Sequence, residues 1–331
     1  MNFMTDIQIK SPDQRIAYPE KIFLSGSCFT EHIGNRLAEL KLPVLQNPNG
    51  ILFDPLSVCK SIVSYIQLKQ YTEEDLFYLN ELWLSWQHHS QFSGLDKEAV
   101  LQNINHSQQQ AHAFLKEADW LIITLGSSFS YQLVTTGESV ANCHRAPAQT
   151  FRKHLLGIDE TVTALDNCLH QLFHFNKKIR LIFTISPVRH LRDGVVENNR
   201  SKARLIEAVH HMVNKFARLY YFPAYELVID VLRDYRFYDI DLAHPNYAAT
   251  EFVFEKFTQH FIEADSQALM EEIKKIVIAR RHKAFQPETK AHKEFLKVHG
   301  EKVKQLQNKY PFLDFTAEQD YFRDTDTIKT D

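Results

Sequence analysis

The sequence predicts an α/β protein: a three-layer α/β/α sandwich around a mostly parallel central sheet, extended by helices at its C-terminal end. Three observations lead there. Short apolar runs alternate with segments of helical periodicity, which implies crossover connections and helices on both faces of a parallel sheet. Three of those runs end in small polar residues, at 25–28, 126–128 and 186–190. Ligands of open α/β sheets collect outside the carboxyl ends of the strands, where such turns stand. Beyond about residue 265 the composition becomes charged and helix-prone, as in EEIKKIVIARRHKAF and KAHKEFLKVHGEKVKQLQNKY.

Taken in order, Lys21-Ile22-Phe23-Leu24 reads as a buried strand ending in Ser25-Gly26-Ser27. Thr30 is placed to cap the next helix and Glu31 suits its first turn. Ile33, Leu37 and Leu40 recur at helical spacing, and Pro43 closes the helix. Asn47-Pro48-Asn49-Gly50 is a turn by composition. A helix is expected from Leu56 to about Leu68, then a strand or hairpin over 74–93, where Trp83 and Trp86 alternate at strand spacing as hairpin or core residues. A long helix is expected over 96–118 and a second buried strand from Trp120 to Leu125. Then follow a helix over 159–175, a strand from Ile179 to Ile185 and a helix over 198–220. Leu205, Val209, Met212 and Phe216 form the stripe of that last helix. A short strand over Leu227–Val231 and a helix over 246–263 complete the core pattern. The expected division is a catalytic domain at 1–265 and a charged helical extension at 266–331, polar from about Thr316.

The bulk numbers exclude several classes. A chain of 331 residues with 44% hydrophobic content can pack a large core. Net charge is −3, from 38 Lys+Arg against 41 Asp+Glu, which leaves no basic footprint for nucleic acid. No apolar run approaches the roughly 18 residues of a membrane span. The first residues lack the basic-then-apolar order of a secretory signal, so a cytoplasmic setting is expected. Cys28, Cys59, Cys143 and Cys168 form no CxxC pair, and none of the standard glycine-rich phosphate loops occurs. His88-His89, His210-His211 and the His170/His174 pair lack a third ligand placed by sequence; no metal or other cofactor is expected.

The chemistry concentrates at two points. Asp241 and His244 stand three positions apart in a turn before Pro245-Asn246. The carboxylate can reach Nδ1–H of His244 and leave Nε2 free to take a proton. Ser27 and Cys28 stand where a strand meets a helix N-terminus. A hydroxyl or thiol there gains from a nearby base and from free N–H groups that stabilise negative charge. The plain reading of Gly26-Ser27-Cys28 is a tight packing turn, and of Asp241 a helix cap. Their joint presence favours a nucleophilic site.

The order GSCF, NPNGILFDP, Gly126, VANCHR, SPVRH, ENNRSKA and RDYRFYDIDLAHPN, over about residues 20–260, resembles the GSCFA family of the SGNH (GDSL-type) hydrolase superfamily. The resemblance implies an SGNH/flavodoxin-like sandwich and an acyl-ester hydrolase or acyltransferase acting on a carbohydrate or lipid ester. It places the nucleophile in the first block and the base and its orienter at His244 and Asp241. Laid without gaps on the superfamily's Gly-Asp-Ser, the first block puts Cys28 on the nucleophile; a shift by one restores Ser27. The choice stays open. Gly50, Gly126 and Ser128 stand where oxyanion donors are expected, with Asn142 as a substitute amide because Ser128 replaces the usual Asn. Arg145, Arg189 and His190 are candidates for an anionic group of the substrate. The alternative is a catalytically weak relative that binds a ligand or scaffolds a partner. Residues 266–331 are left to pack on the core, to self-associate or to stand in solvent.

Overall fold

A computed structural model describes residues 5–323. Its central sheet has five parallel strands: β1 (Ile22–Gly26), β2 (Val44–Gln46), β5 (Trp120–Leu125), β9 (Arg180–Ile185) and β10 (Leu219–Tyr221). They lie in the order β2-β1-β5-β9-β10. Renumbered within the sheet this is the flavodoxin-like 2-1-3-4-5 order, with its switch point between β1 and β5. The register pairs Gly26 with Thr124 and Leu125 with Ile185, so the three polar turns emerge side by side.

The two faces follow from strand alternation. Ile22, Leu24, Trp120 and Ile122 face one layer, built from α1 (Cys28–Glu39), α7 (Tyr247–Phe261) and α8 (Ala264–Arg281). Phe23, Leu121, Ile123 and Leu125 face the other, built from α2 (Pro55–Ile66), α3 (Lys97–Glu117), α4 (Ile158–Phe175) and α5 (Val195–Lys215). Successive side chains of a strand point to opposite faces, so each strand feeds both cores.

Two small sheets sit apart from the main one. The hairpin β3 (Phe77–Leu79) and β4 (Leu82–Leu84) falls where the aromatic alternation places it. Trp86 stacks on Phe77 at 3.6 Å between ring centroids, inside the accessory region. An antiparallel sheet of β6 (Phe129–Leu133), β7 (Ser139–Val140) and β8 (Phe151–Leu155) follows β5.

Two sequence expectations change. Leu227–Val231 is not a strand; after α6 (Ala224–Glu226) the chain winds as a wide helical turn over Leu227–Leu232. Leu227 and Val228 are buried there, so packing overrides the β-branched composition. The edge strand is β10, and the helix expected over 198–220 stops at Lys215 to let it form. Thr30 is not the cap of α1. Ser27 holds the cap position, because Gly26 ends β1 with its N–H on Asn47 Oδ1 and the helix begins two residues on.

The C-terminal helices α8, α9 (Lys290–Lys309) and α10 (Thr316–Tyr321) pack on the α1 face. Val303, Phe315 and Phe322 join the same apolar cluster as Ile22 and Leu24. Glu318, 2% exposed, accepts from Lys41 Nζ at 2.7 Å and Arg280 Nη1 at 2.7 Å. The stretch expected as a polar tail is therefore partly structure; its last residues, 324–331, lie outside the described residues.

Candidate active site

Gly26 makes the strand-to-helix turn possible. Its φ is +143°, and a Cβ there would stand 2.1 Å from the Thr124 carbonyl oxygen. Only glycine takes that conformation and that approach. Ser27 N–H then donates to Thr124 O at 3.0 Å, and α1 starts with its free N–H groups facing the carboxyl edge of the sheet.

The two nucleophile candidates face different surroundings. Ser27 is 0% exposed, and its Oγ is buried without a hydrogen-bond partner. Its Cβ packs against Gly126, where an added Cβ would lie 3.2 Å away. Cys28 is half-buried and free. Burial pushes its thiol up, while the Phe29 N–H at the helix start and the Lys202 ammonium pull it back.

The Asp241–His244 pair is formed. Asp241 Oδ2 accepts from His244 Nδ1 at 2.5 Å, and Oδ1 accepts from the N–H groups of Ala243 (2.9 Å) and His244 (3.0 Å). These backbone bonds first, and then the ring, hold the Asp241 carboxyl down at about 2. Both side chains are 47% exposed. Nε2 of His244 hydrogen-bonds neither Ser27 Oγ nor Cys28 Sγ. The loop is tied to the β9 side by Arg189 N–H on Ala243 O at 3.0 Å. The charge of His244 is felt by His190 and by His32, one helical turn beyond Cys28. The ring thus lies within electrostatic range of the first turns of α1.

The remaining sequence candidates divide. His190 joins the site: its Nε2 is buried without a partner, 3.3 Å from where a Gly126 Cβ would be. Burial, then the charges of Lys202 and His244, lower it to about 4, so it is neutral at pH 7. Gly126 lines the same spot, but its N–H is bonded to Phe53 O at 2.8 Å. Gly50 does not supply a donor; its N–H closes the turn on Asn47 O at 2.7 Å. Ser128 does not either: its N–H and hydroxyl are held by Ser201, at 2.7 Å and 3.1 Å. Arg189 is turned toward the aromatic residues of the neighbouring loop. Its guanidinium lies 4.4 Å over the Tyr238 ring and braces the Asp241–His244 loop. Asn142 holds the His144 N–H through Oδ1 at 2.8 Å and leaves its Nδ2 unbonded. It lines a separate cavity with Arg145.

Two residues of the site were not singled out from sequence. Lys202 is 1% exposed and donates to Gly126 O and Ser186 O, both at 2.6 Å, joining the carboxyl ends of β5 and β9. Burial pulls its ammonium down to about 7. Asn198 Oδ1 accepts the His190 N–H at 2.9 Å. The stripe of α5 contained the signal: Asn198, Ser201 and Lys202 continue the buried face of Leu205 and Val209 back toward the polar turns.

The fold and site define a parallel α/β protein whose polar loops meet at a strand-to-helix turn, facing an Asp–His pair. The GSCFA family model matches residues 21–257, and that of the C-terminal domain of GSCFA domain proteins matches residues 273–327. The chain belongs to the GSCFA family. No curated protein matches it. Among solved structures, a carbohydrate esterase family 3 from Talaromyces cellulolyticus is similar at a TM-score of 0.37 and 9% identity, over 77% of this chain and 99% of that one. A likeness that distant says nothing about chemistry. Among the described residues no helix is long and apolar enough to cross a membrane.

Proposed function

We propose that this protein is an SGNH-type acyl-ester hydrolase or acyltransferase that uses Cys28 as nucleophile, His244 as base and then acid, and Asp241 as orienter. The observation that carries the reading is the Asp241–His244 bond of 2.5 Å, which holds the imidazole through Nδ1 and leaves Nε2 to take a proton. Cys28 is preferred to Ser27 because it is half-buried, whereas Ser27 is 0% exposed. The thiolate attacks the ester carbonyl, and the free N–H groups of the first turn of α1 stabilise the oxyanion. His244 protonates the departing alkoxide, then activates water or an acceptor hydroxyl to release the acyl group. Catalytic hydrogen bonds commonly tighten only when substrate binds. In this reading residues 1–265 carry the reaction, residues 266–331 brace it, and the reducing cytoplasm keeps Cys28 as a thiol.

The test is turnover on short p-nitrophenyl esters together with iodoacetamide labelling. Wild type is expected to show a burst, with protection of Cys28 from labelling by a slow ester. A purified, folded wild type that neither turns over nor acylates on a panel of such esters would overturn the proposal.

A further inference from the structure

A second concave region lies beside the site. A cavity of about 600 Å³ opens between β6, β8, the loop 142–148 and the turn after His190. Three cationic side chains line it, Arg145, Lys153 and Arg192, against one carboxylate, Asp193. Lys153 pairs with Asp193. Arg145 and Arg192 are exposed and make no hydrogen bond or ion pair among the described residues. His144 in the same wall adds no charge at neutral pH, since burial lowers its imidazole and its ring nitrogens bond Ser90 Oγ and Ser85 O.

A second cavity, between α1, α7 and α8, makes the contrast. It too holds arginines, Arg36 and Arg281. There Arg36 pairs with Glu39 and Glu251, and Arg281 with Glu39, so the charges are internally neutralised. Only the first cavity presents unmatched guanidinium groups.

The backbone around Arg145 is set with some strain. His144 and Arg145 are successive non-glycine residues at φ +47° and +57°. Such conformations persist where the surroundings over-determine them, and they cluster at ligand sites. Here the buried His144 ring, Asn142 Oδ1 on the His144 N–H and Ala146 N–H on Cys143 O (2.8 Å) fix the turn. The result is Arg145 at the cavity edge beside the unbonded Nδ2 of Asn142. Tyr131 and Phe151 add aromatic wall.

We infer that this cavity is a recognition subsite for an anionic group, a carboxylate or a phosphate, carried by the ligand next to an apolar or ring-shaped portion. Guanidinium groups match both anions bidentately, and Asn142 adds a neutral donor. Arg192 follows His190 by two residues, so the cavity wall continues the polar turn at 186–190. The inference deepens the acyl-transfer reading by naming its substrate class.

Binding, not turnover, is the measurement, so its failure and that of the hydrolase reading are distinguishable. Phenyl phosphate, benzoate and neutral benzyl alcohol are titrated into the full chain by calorimetry or NMR. At least one of the anions is expected to bind tenfold or more tightly than benzyl alcohol, and to weaken with added salt. Whichever anion wins identifies the group. The double variant Arg145→Gln/Arg192→Gln, whose side chains have no partners to lose, is expected to bind all three probes alike. Arg200→Gln, on the outer face of α5, is expected to keep the preference. Equal binding of charged and neutral probes by wild type, or an anion preference that survives in the double variant, overturns the inference.

Discussion

The two halves of the candidate site are built differently. On one side Ser27, Gly126 and Lys202 are buried beside the half-buried His190, held by strand register and by α5. On the other, Asp241 and His244 stand 47% exposed on a loop, held by the Asp241 bonds and by Arg189. The first half owes its geometry to the core, so its residues serve stability and position together. The second owes little to the core, so a change there should cost little stability. Substitutions should separate accordingly.

Gly26→Ala should have the largest effect. The new Cβ meets a backbone carbonyl at 2.1 Å in a conformation closed to alanine. A loss beyond about 4 kcal/mol is expected, seen as failure to fold or as a collapsed urea midpoint. His244→Ala should do the reverse. Ester turnover is expected to fall by about 10³-fold, or about 4 kcal/mol, at an unchanged melting temperature. A large stability loss in that variant would erase the distinction between the halves.

Lys202→Met tests the buried side more gently. It leaves the Gly126 and Ser186 carbonyls without their shared donor while removing a buried charge. A net loss of about 2 kcal/mol is expected by chemical denaturation. Cys28→Ser against Ser27→Ala sharpens the choice of nucleophile. Turnover should drop steeply in the first, while the second stays within about tenfold of wild type.

A pH slope tests the buried half in another way. His190 titrates at about 4 in the folded chain, below the ordinary value of 6.5. On acidification the unfolded chain takes the proton first. The contribution of neutral His190 is thus complete above pH 6.5 and lost progressively as pH falls toward 4. His190→Gln should flatten that part of the stability curve, measured as urea midpoints between pH 4.5 and 7. Asp241 has no such slope in this range, because its carboxyl is held at about 2.

The exposed half was the more legible in sequence. Asp-x-x-His is a local pattern, and three residues of spacing suffice to bring a carboxylate to Nδ1 within one turn. Strand Trp120–Leu125 was equally plain, because a fully buried strand is a continuous apolar run. The buried half depends on contacts between distant segments. Lys202 meets Gly126 across 76 positions, which periodicity does not encode. Gly50 shows the converse: a glycine in the right motif whose N–H is already used by its own turn. The β6–β8 sheet was not read either. Its strands are half-exposed, with no clean alternation to mark them.

The latch of Lys41 on Glu318 gives the protein a timetable. Helix α1 carries Cys28 at one end, and Lys41 follows its other end. Its partner is 277 positions further along the chain. At 5–20 residues per second, a ribosome takes roughly 14–55 seconds to bridge them. Throughout that interval Phe315 and Phe322 are not yet made, and part of the apolar face around α1 waits uncovered. The nascent chain therefore carries that uncovered face until its final helices emerge, and the support of the helix that bears Cys28 is completed among the last steps of its biosynthesis.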